Sequence, residues 1–114
     1  MTAKYRLTAS AKADITRVLS ESAFRHGQDA RNRYAALILA ALKRIANAPD
    51  GHLTLDRTDL RPDIRCFHIR HSRLQSTEQP VGRPVHVVFY RSTGSGVIEV
   101  IRVLHERMDP VRHI

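Results

Sequence analysis

Tryptophan is absent, cysteine occurs once, and no apolar run exceeds nine residues. Each absence excludes something. Cys66 alone has no partner for an internal disulfide, and a lone thiol suits a reducing compartment. The longest apolar stretch, YAALILAAL at 34–42, falls far short of the ~20 residues that a spanning helix needs. MTAKYRLTAS, at the start, has no apolar core of the secretory type, so the expectation is a cytoplasmic protein with no membrane role. Acids are scarce as well: 11 Asp and Glu stand against 19 Lys and Arg, for a net charge of +8. Such a surface attracts nucleic acid, an anionic membrane or an acidic protein, and charge alone does not choose between them.

The positive charge is spread along the chain. Residues 1–60 carry ten basic side chains against six acids and residues 61–114 carry nine against five, so each part nets +4 and neither forms a basic tail. Sixteen of the nineteen basic residues are arginine, whose planar fork pairs in bidentate fashion with carboxylate or phosphate. With 42% hydrophobic residues in 114, the chain is expected to form one domain, 1–114, around one modest core.

KYRLT at 4–8 reads as a short strand ending at Thr8, which can cap a helix over Ala9–His26. Ala11, Ile15, Val18 and Leu19, continued by Ser22 and Ala23, recur on one face of that helix, and Gly27 stops it. A second helix starts near Asp29, carries the stripe Tyr34, Leu37, Ile38, Ala41, Leu42 and Ile45, and closes at Asn47, Pro49 and Gly51. The short link predicts an αα-hairpin.

After a polar connector at 52–63 come three β-rich runs, at 64–71, 85–91 and 97–104. STGSG joins the last two as a hairpin. VIEVIRVL is apolar on both parities and is expected as a central strand covered on both sides. The predicted fold is α+β: a β-α-α-β-β-β order with an N-terminal helix hairpin packed on a mostly antiparallel sheet. HSRLQSTEQPVGRP, 71–84, is longer than a hairpin loop and is read as a solvated loop first and a contact element second.

These residues resemble a known family. LTASAKADI opening the first helix, Gly27, Ala30 and Tyr34 at the hairpin, Pro49 and Gly51, and FYR followed by IRVLHERMD are similar to the ParE branch of the ParE/RelE toxin superfamily, from Lys4 to His113. The 71–84 loop is longer than the compact pattern of that branch, and His26 stands where a large aromatic is common. The resemblance implies the toxin half of a type II toxin–antitoxin pair, bound by a small acidic ParD-like antitoxin. It also implies DNA gyrase as target, with DNA reached indirectly through gyrase or the antitoxin complex. A poison of this kind blocks replication by holding gyrase on cleaved DNA.

The RelE branch implies the alternative, a ribosome-dependent mRNA endonuclease. Cleavage through a 2′-hydroxyl needs a base, an acid and cations for the phosphorane. His105 resembles the catalytic histidine of some RelE relatives, and Arg65, Arg91 and Arg102 could neutralise phosphate. Yet neither Tyr nor Lys follows Leu104, as a C-terminal cluster of those nucleases would require. The expectation is therefore a non-catalytic poison with no catalytic residue, cofactor or metal. A third reading is a binding module that keeps antitoxin affinity and has lost toxicity.

Candidate target-binding residues are Arg65, Arg102, His105, Arg107, Met108 and Arg112. Pro110 turns RMDPVRHI into a short turn and tail. Met108 is read first as a plug for the core and second as a contact, and Asp109 as a cap or an arginine partner. Arg65 and Arg102 lie on apolar strands, and each must find an acid or reach the sheet's edge; Glu99 is a possible partner for either. Arg65, at the start of its strand, is the better surface candidate of the two. Histidine spacing gives no metal site, since His68 and His71 would point to opposite faces of a strand and HERMD is not H-E-x-x-H. Cys66 is expected as a small buried hydrophobe. A tail sealed in the interior, or His105 beside a cluster of cations in an open cleft, would overturn the account of a contact tail without catalytic groups.

Overall fold

A computed structural model describes residues 4–114. Strand β1 (Lys4–Leu7) leads into helices α1 (Ala9–His26) and α2 (Gln28–Asn47), followed by strands β2 (Leu55–Asp56), β3 (Ile64–His68), β4 (His86–Ser92) and β5 (Val97–His105). Two 3-10 turns, Ile69–Gln75 and Pro110–Arg112, complete the elements. This is the expected α+β order with the helix pair on one face of the sheet, plus one two-residue strand inside the connector. The strands lie in the order β1-β5-β4-β3-β2. β1 pairs with β5 in parallel, and the other pairs are antiparallel.

Thr8 begins the helix as its sequence position suggests. Its hydroxyl oxygen accepts the Ala11 N–H at 3.0 Å and donates to the Ile101 carbonyl at 2.9 Å, so one side chain caps α1 and ties it to β5. Thr8→Ala is expected to cost roughly 1–2 kcal/mol in urea unfolding, with Thr8→Ser restoring most of it. Gly27, at φ 92°, sits where an L side chain is strained, and it ends α1 and starts α2 in a single residue. α2 buries Tyr34, Leu37, Ile38, Ala41, Leu42 and Ile45 against Phe67, Val88, Tyr90 and Val100 of the sheet. On the other face Ile64, Cys66, Phe89 and Leu104 form a smaller cluster under Leu60 and Ile114.

Several expectations change. The second helix starts at Gln28, because Gly27 serves both helices. The run at 64–71 is strand only to His68, whose imidazole accepts the Arg70 N–H at 3.1 Å and starts the 3-10 turn over Ile69–Gln75. The 71–84 segment is tied to α2 at its start, where Arg44 donates to the His71 carbonyl at 3.0 Å, and is closed on itself where Arg73 donates to the Val81 carbonyl at 2.6 Å. β5 is central and covered on both sides, as expected: Val100 and Val103 lie in the core under the helices and Leu104 in the cluster on the opposite face. Its apolar residues fall on both parities because the pairing slips: Phe89 faces Arg102 and Tyr90 faces Val100, leaving Ile101 as an extra residue. Glu99 serves neither Arg65 nor Arg102; it pairs with Arg6 and Arg91, its neighbours across the sheet, at 3.0 and 2.9 Å. Met108 does not plug the core, being 46% exposed in the turn after β5. Cys66 is buried, as expected, and burial pushes its thiol upward.

Candidate functional site

The first turns of α2, the inner side of α1, the 81–85 segment, the end of β5 and the turn after it enclose an open cleft of about 830 Å³. β1 pairs with β5 only as far as Val100, so beyond it the β5 backbone edge is open. α1 closes that edge with a carboxylate. Asp14, 1% exposed, accepts the Val103 N–H at 2.9 Å, Arg102 Nε at 2.7 Å and Nη2 at 2.8 Å, and Arg17 Nη2 at 2.7 Å. Burial by itself would raise this carboxyl, but the bonds from Arg102, Arg17 and the Val103 N–H outweigh it and hold the group below its usual range. Arg102 also donates to the His113 carbonyl at 3.0 Å, so one ion pair joins α1, β5 and the C-terminal turn.

Tyr34, His86 and His105 form a second polar line. The Tyr34 hydroxyl accepts the Val85 N–H at 3.2 Å and is hydrogen-bonded to His86 Nδ1 at 2.6 Å. Burial pushes the phenol up to about 12. Burial, and then the neighbouring His105, push His86 down to about 4, so His86 is neutral at pH 7. The His86 and His105 rings meet edge to face at 5.5 Å. His105 Nδ1 accepts the Arg107 N–H at 3.1 Å, which leaves Nε2 free.

The candidates do not converge on one spot. Arg102, His105, Arg107 and Met108 line the cleft, and His105 and Met108 also border a smaller groove of about 220 Å³ on the other sheet face. Arg112 lies outside both, loosely paired with Asp109 at 4.0 Å. Arg65 lies among different neighbours, donating to the Thr54 hydroxyl at 2.7 and 3.2 Å with Asp50 at 3.7 Å. Asp109 caps the last turn, accepting the Val111 N–H at 3.1 Å. The tail is not sealed in the interior. His105, however, does stand in an open cleft with Arg83, Arg102 and Arg107.

In the sequence Tyr34 reads as a core and family-motif position, and Asp14, His86 and the cleft arginines Arg25, Arg33 and Arg83 are not among the candidates. Asp14 left a signal there: it falls within the 11, 15, 18 stripe of α1, where a lone acid implies a buried partner. Among the described residues no group of three or more His, Cys, Asp or Glu is placed to hold a metal, and no helix is long and apolar enough to cross a membrane.

Residues 5–110 match the family described as the ParE toxin of the type II toxin-antitoxin system, parDE. Toxin ParE1 from two strains of Mycobacterium tuberculosis is 30% identical over 114 residues, covering all of both chains. A solved structure titled as a chromosomal ParDE TA system from P. aeruginosa shares the fold at a TM-score of 0.65 and 15% identity, over 91% of this chain and 96% of that one. The chain belongs to the ParE toxin family of type II toxin–antitoxin systems.

Proposed function

We propose that the protein poisons DNA gyrase without catalysis, acts in the cytoplasm, and is neutralised by an acidic ParD-like antitoxin laid across its basic surface. Family membership over residues 5–110 carries this reading. A poison needs only to bind the cleaved gyrase complex better than the resealed one, and that difference in affinity shifts the population. Target contacts are assigned to the exposed turn after β5 and the rim beside it, with Arg107, Met108 and Arg112 reaching out. Arg102 and His105 support them, and Arg65 provides a separate contact.

The position of His105 among arginines favours a second reading, RNA cleavage. In-line attack by a 2′-hydroxyl needs a base and an acid on opposite sides of the phosphorus. His105 offers one free imidazole nitrogen. The other polar groups of its line are committed: the Tyr34 hydroxyl and His86 Nδ1 are bonded to each other, and His86 is held neutral by burial. This favours the poison.

Incubating the protein with gyrase and supercoiled DNA, and in parallel with ribosomes translating a message, separates the two. Linear, gyrase-cleaved DNA should accumulate, message should stay intact, and a ParD-like antitoxin should reverse the effect. Untouched gyrase at excess protein would sink the reading, and cut message would install the alternative. Normal growth on expression without antitoxin would leave only a binding module.

A further inference from the structure

Four arginines on four separate parts of the chain surround the cleft: Arg25 at the end of α1, Arg33 in the second turn of α2, Arg83 in the segment before β4 and Arg107 after β5. None has a side-chain hydrogen bond or ion pair among the described residues. Arg17 and Arg102, by contrast, are held by Asp14. Glu21 is the one acid on the lining that no arginine holds. Four unengaged guanidinium groups around one concavity are poised for an anion.

The floor between them is of a different kind. Val18, Val81, Val85 and Met108 are apolar, and the His86 and His105 rings stand at 79° to one another. Flat imidazoles and apolar walls suit a planar base, while the rim suits phosphates. A nucleic-acid strand carries a charge on its backbone and a base at every residue, so any short stretch satisfies both surfaces. An acidic peptide would have to alternate acids and apolar side chains in register to do the same. The volume is that of a small-ligand cleft, which admits a short stretch of one strand and no duplex.

We propose that this cleft binds single-stranded nucleic acid directly, through its phosphates and without gyrase. The inference goes beyond the proposed function, which has the protein reach DNA only through its partners. It requires no bond to form or break.

Fluorescence anisotropy on the purified full chain tests it, with fluorescein-labelled oligothymidine and oligouridine of equal length and polyglutamate as competitor. Binding should weaken with salt at a log–log slope of about −2 to −3, at about 0.7 per phosphate for roughly three to four contacts. The double variant Arg33→Glu with Arg83→Glu should weaken binding roughly tenfold or more and flatten the slope by about 1.4. Lys43→Glu with Arg61→Glu changes the net charge equally at exposed sites outside the cleft, and should leave the slope nearly unchanged. Thermal melts of both pairs establish that they fold, as expected of basic side chains at the surface. Equal losses in the two double variants would show general attraction to a basic surface and overturn the proposal. Displacement by polyglutamate at lower concentration than by oligonucleotide would make the cleft an acidic-peptide site instead. No binding at low salt would overturn it outright. Gyrase is absent from the assay, so each of these failures leaves the poison reading intact.

Discussion

Asp14→Ala is expected to cost about 3 kcal/mol of stability, the lower end of the range for breaking a buried ion pair, because the Arg102 side chain keeps 19% of its surface in solvent. The alanine leaves Arg102 and Arg17 without their shared carboxylate and the Val103 N–H without its acceptor. The outcome can be read from the midpoint of urea unfolding at constant slope. The double variant Asp14→Leu with Arg102→Met should regain most of the loss, because apolar replacement of both partners removes the unpaired charge along with the pair. If the single variant unfolds at the same midpoint as the parent, the ion pair is not what holds α1 to the open edge of β5. Arg102 also donates to the His113 carbonyl, so Asp14→Ala should loosen the C-terminal turn, measurable as faster amide exchange at residues 112–114.

His86 gives the second large effect, and it appears with pH. Its folded value of about 4 lies below the ordinary 6.5. Above pH 6.5 both states are neutral and the group contributes nothing to the slope. As pH falls from 6.5 to 4 the unfolded chain takes up a proton that the folded chain refuses, so stability drops across that window and levels off below it. At about 1.4 kcal/mol per pH unit of displacement, and allowing for partial exposure, the loss is on the order of 2–3 kcal/mol. His86→Gln can still hydrogen-bond to Tyr34 and does not titrate, so it should abolish most of this slope. His71, also pushed down by burial, leaves a smaller remainder. A profile equally steep in His86→Gln would place the acid sensitivity elsewhere. Asp14 acts at lower pH with the same direction of change. Its folded carboxyl lies below the unfolded value, so its stabilisation is present above about pH 4 and is lost as pH falls through the depressed value. The two losses are therefore separable on one pH titration of the unfolding midpoint.

Local pattern carried a large share of the architecture. The Tyr34-to-Ile45 stripe, the Gly27 break and the Thr8 cap act between residues a few positions apart, and such interactions are visible in order along the chain. The family resemblance in FYR and IRVLHERMD was visible for the same reason. Strand length was less so: His68 turns its ring back on Arg70, a choice its β-rich neighbours do not announce.

By itself the sequence determined a helix hairpin, three main strands, a turn at Pro110, a basic surface rich in arginine, and the need of Arg102 for an acid. Which acid, the tertiary structure alone decided. Glu99 is three residues away along an extended strand and is taken by Arg6 and Arg91, while Asp14 is 88 residues away and reaches Arg102 because α1 crosses the open edge of β5. The cleft has the same origin. Arg25, Arg33, Arg83 and Arg107 share no spacing that a linear reading could detect, and they meet because the parallel pairing of β1 with β5 sets the helix hairpin against the far end of the sheet. Periodicity reports on neighbours within a turn or a pleat; a site assembled from four distant segments depends on long-range pairing, for which the chain carries no local code.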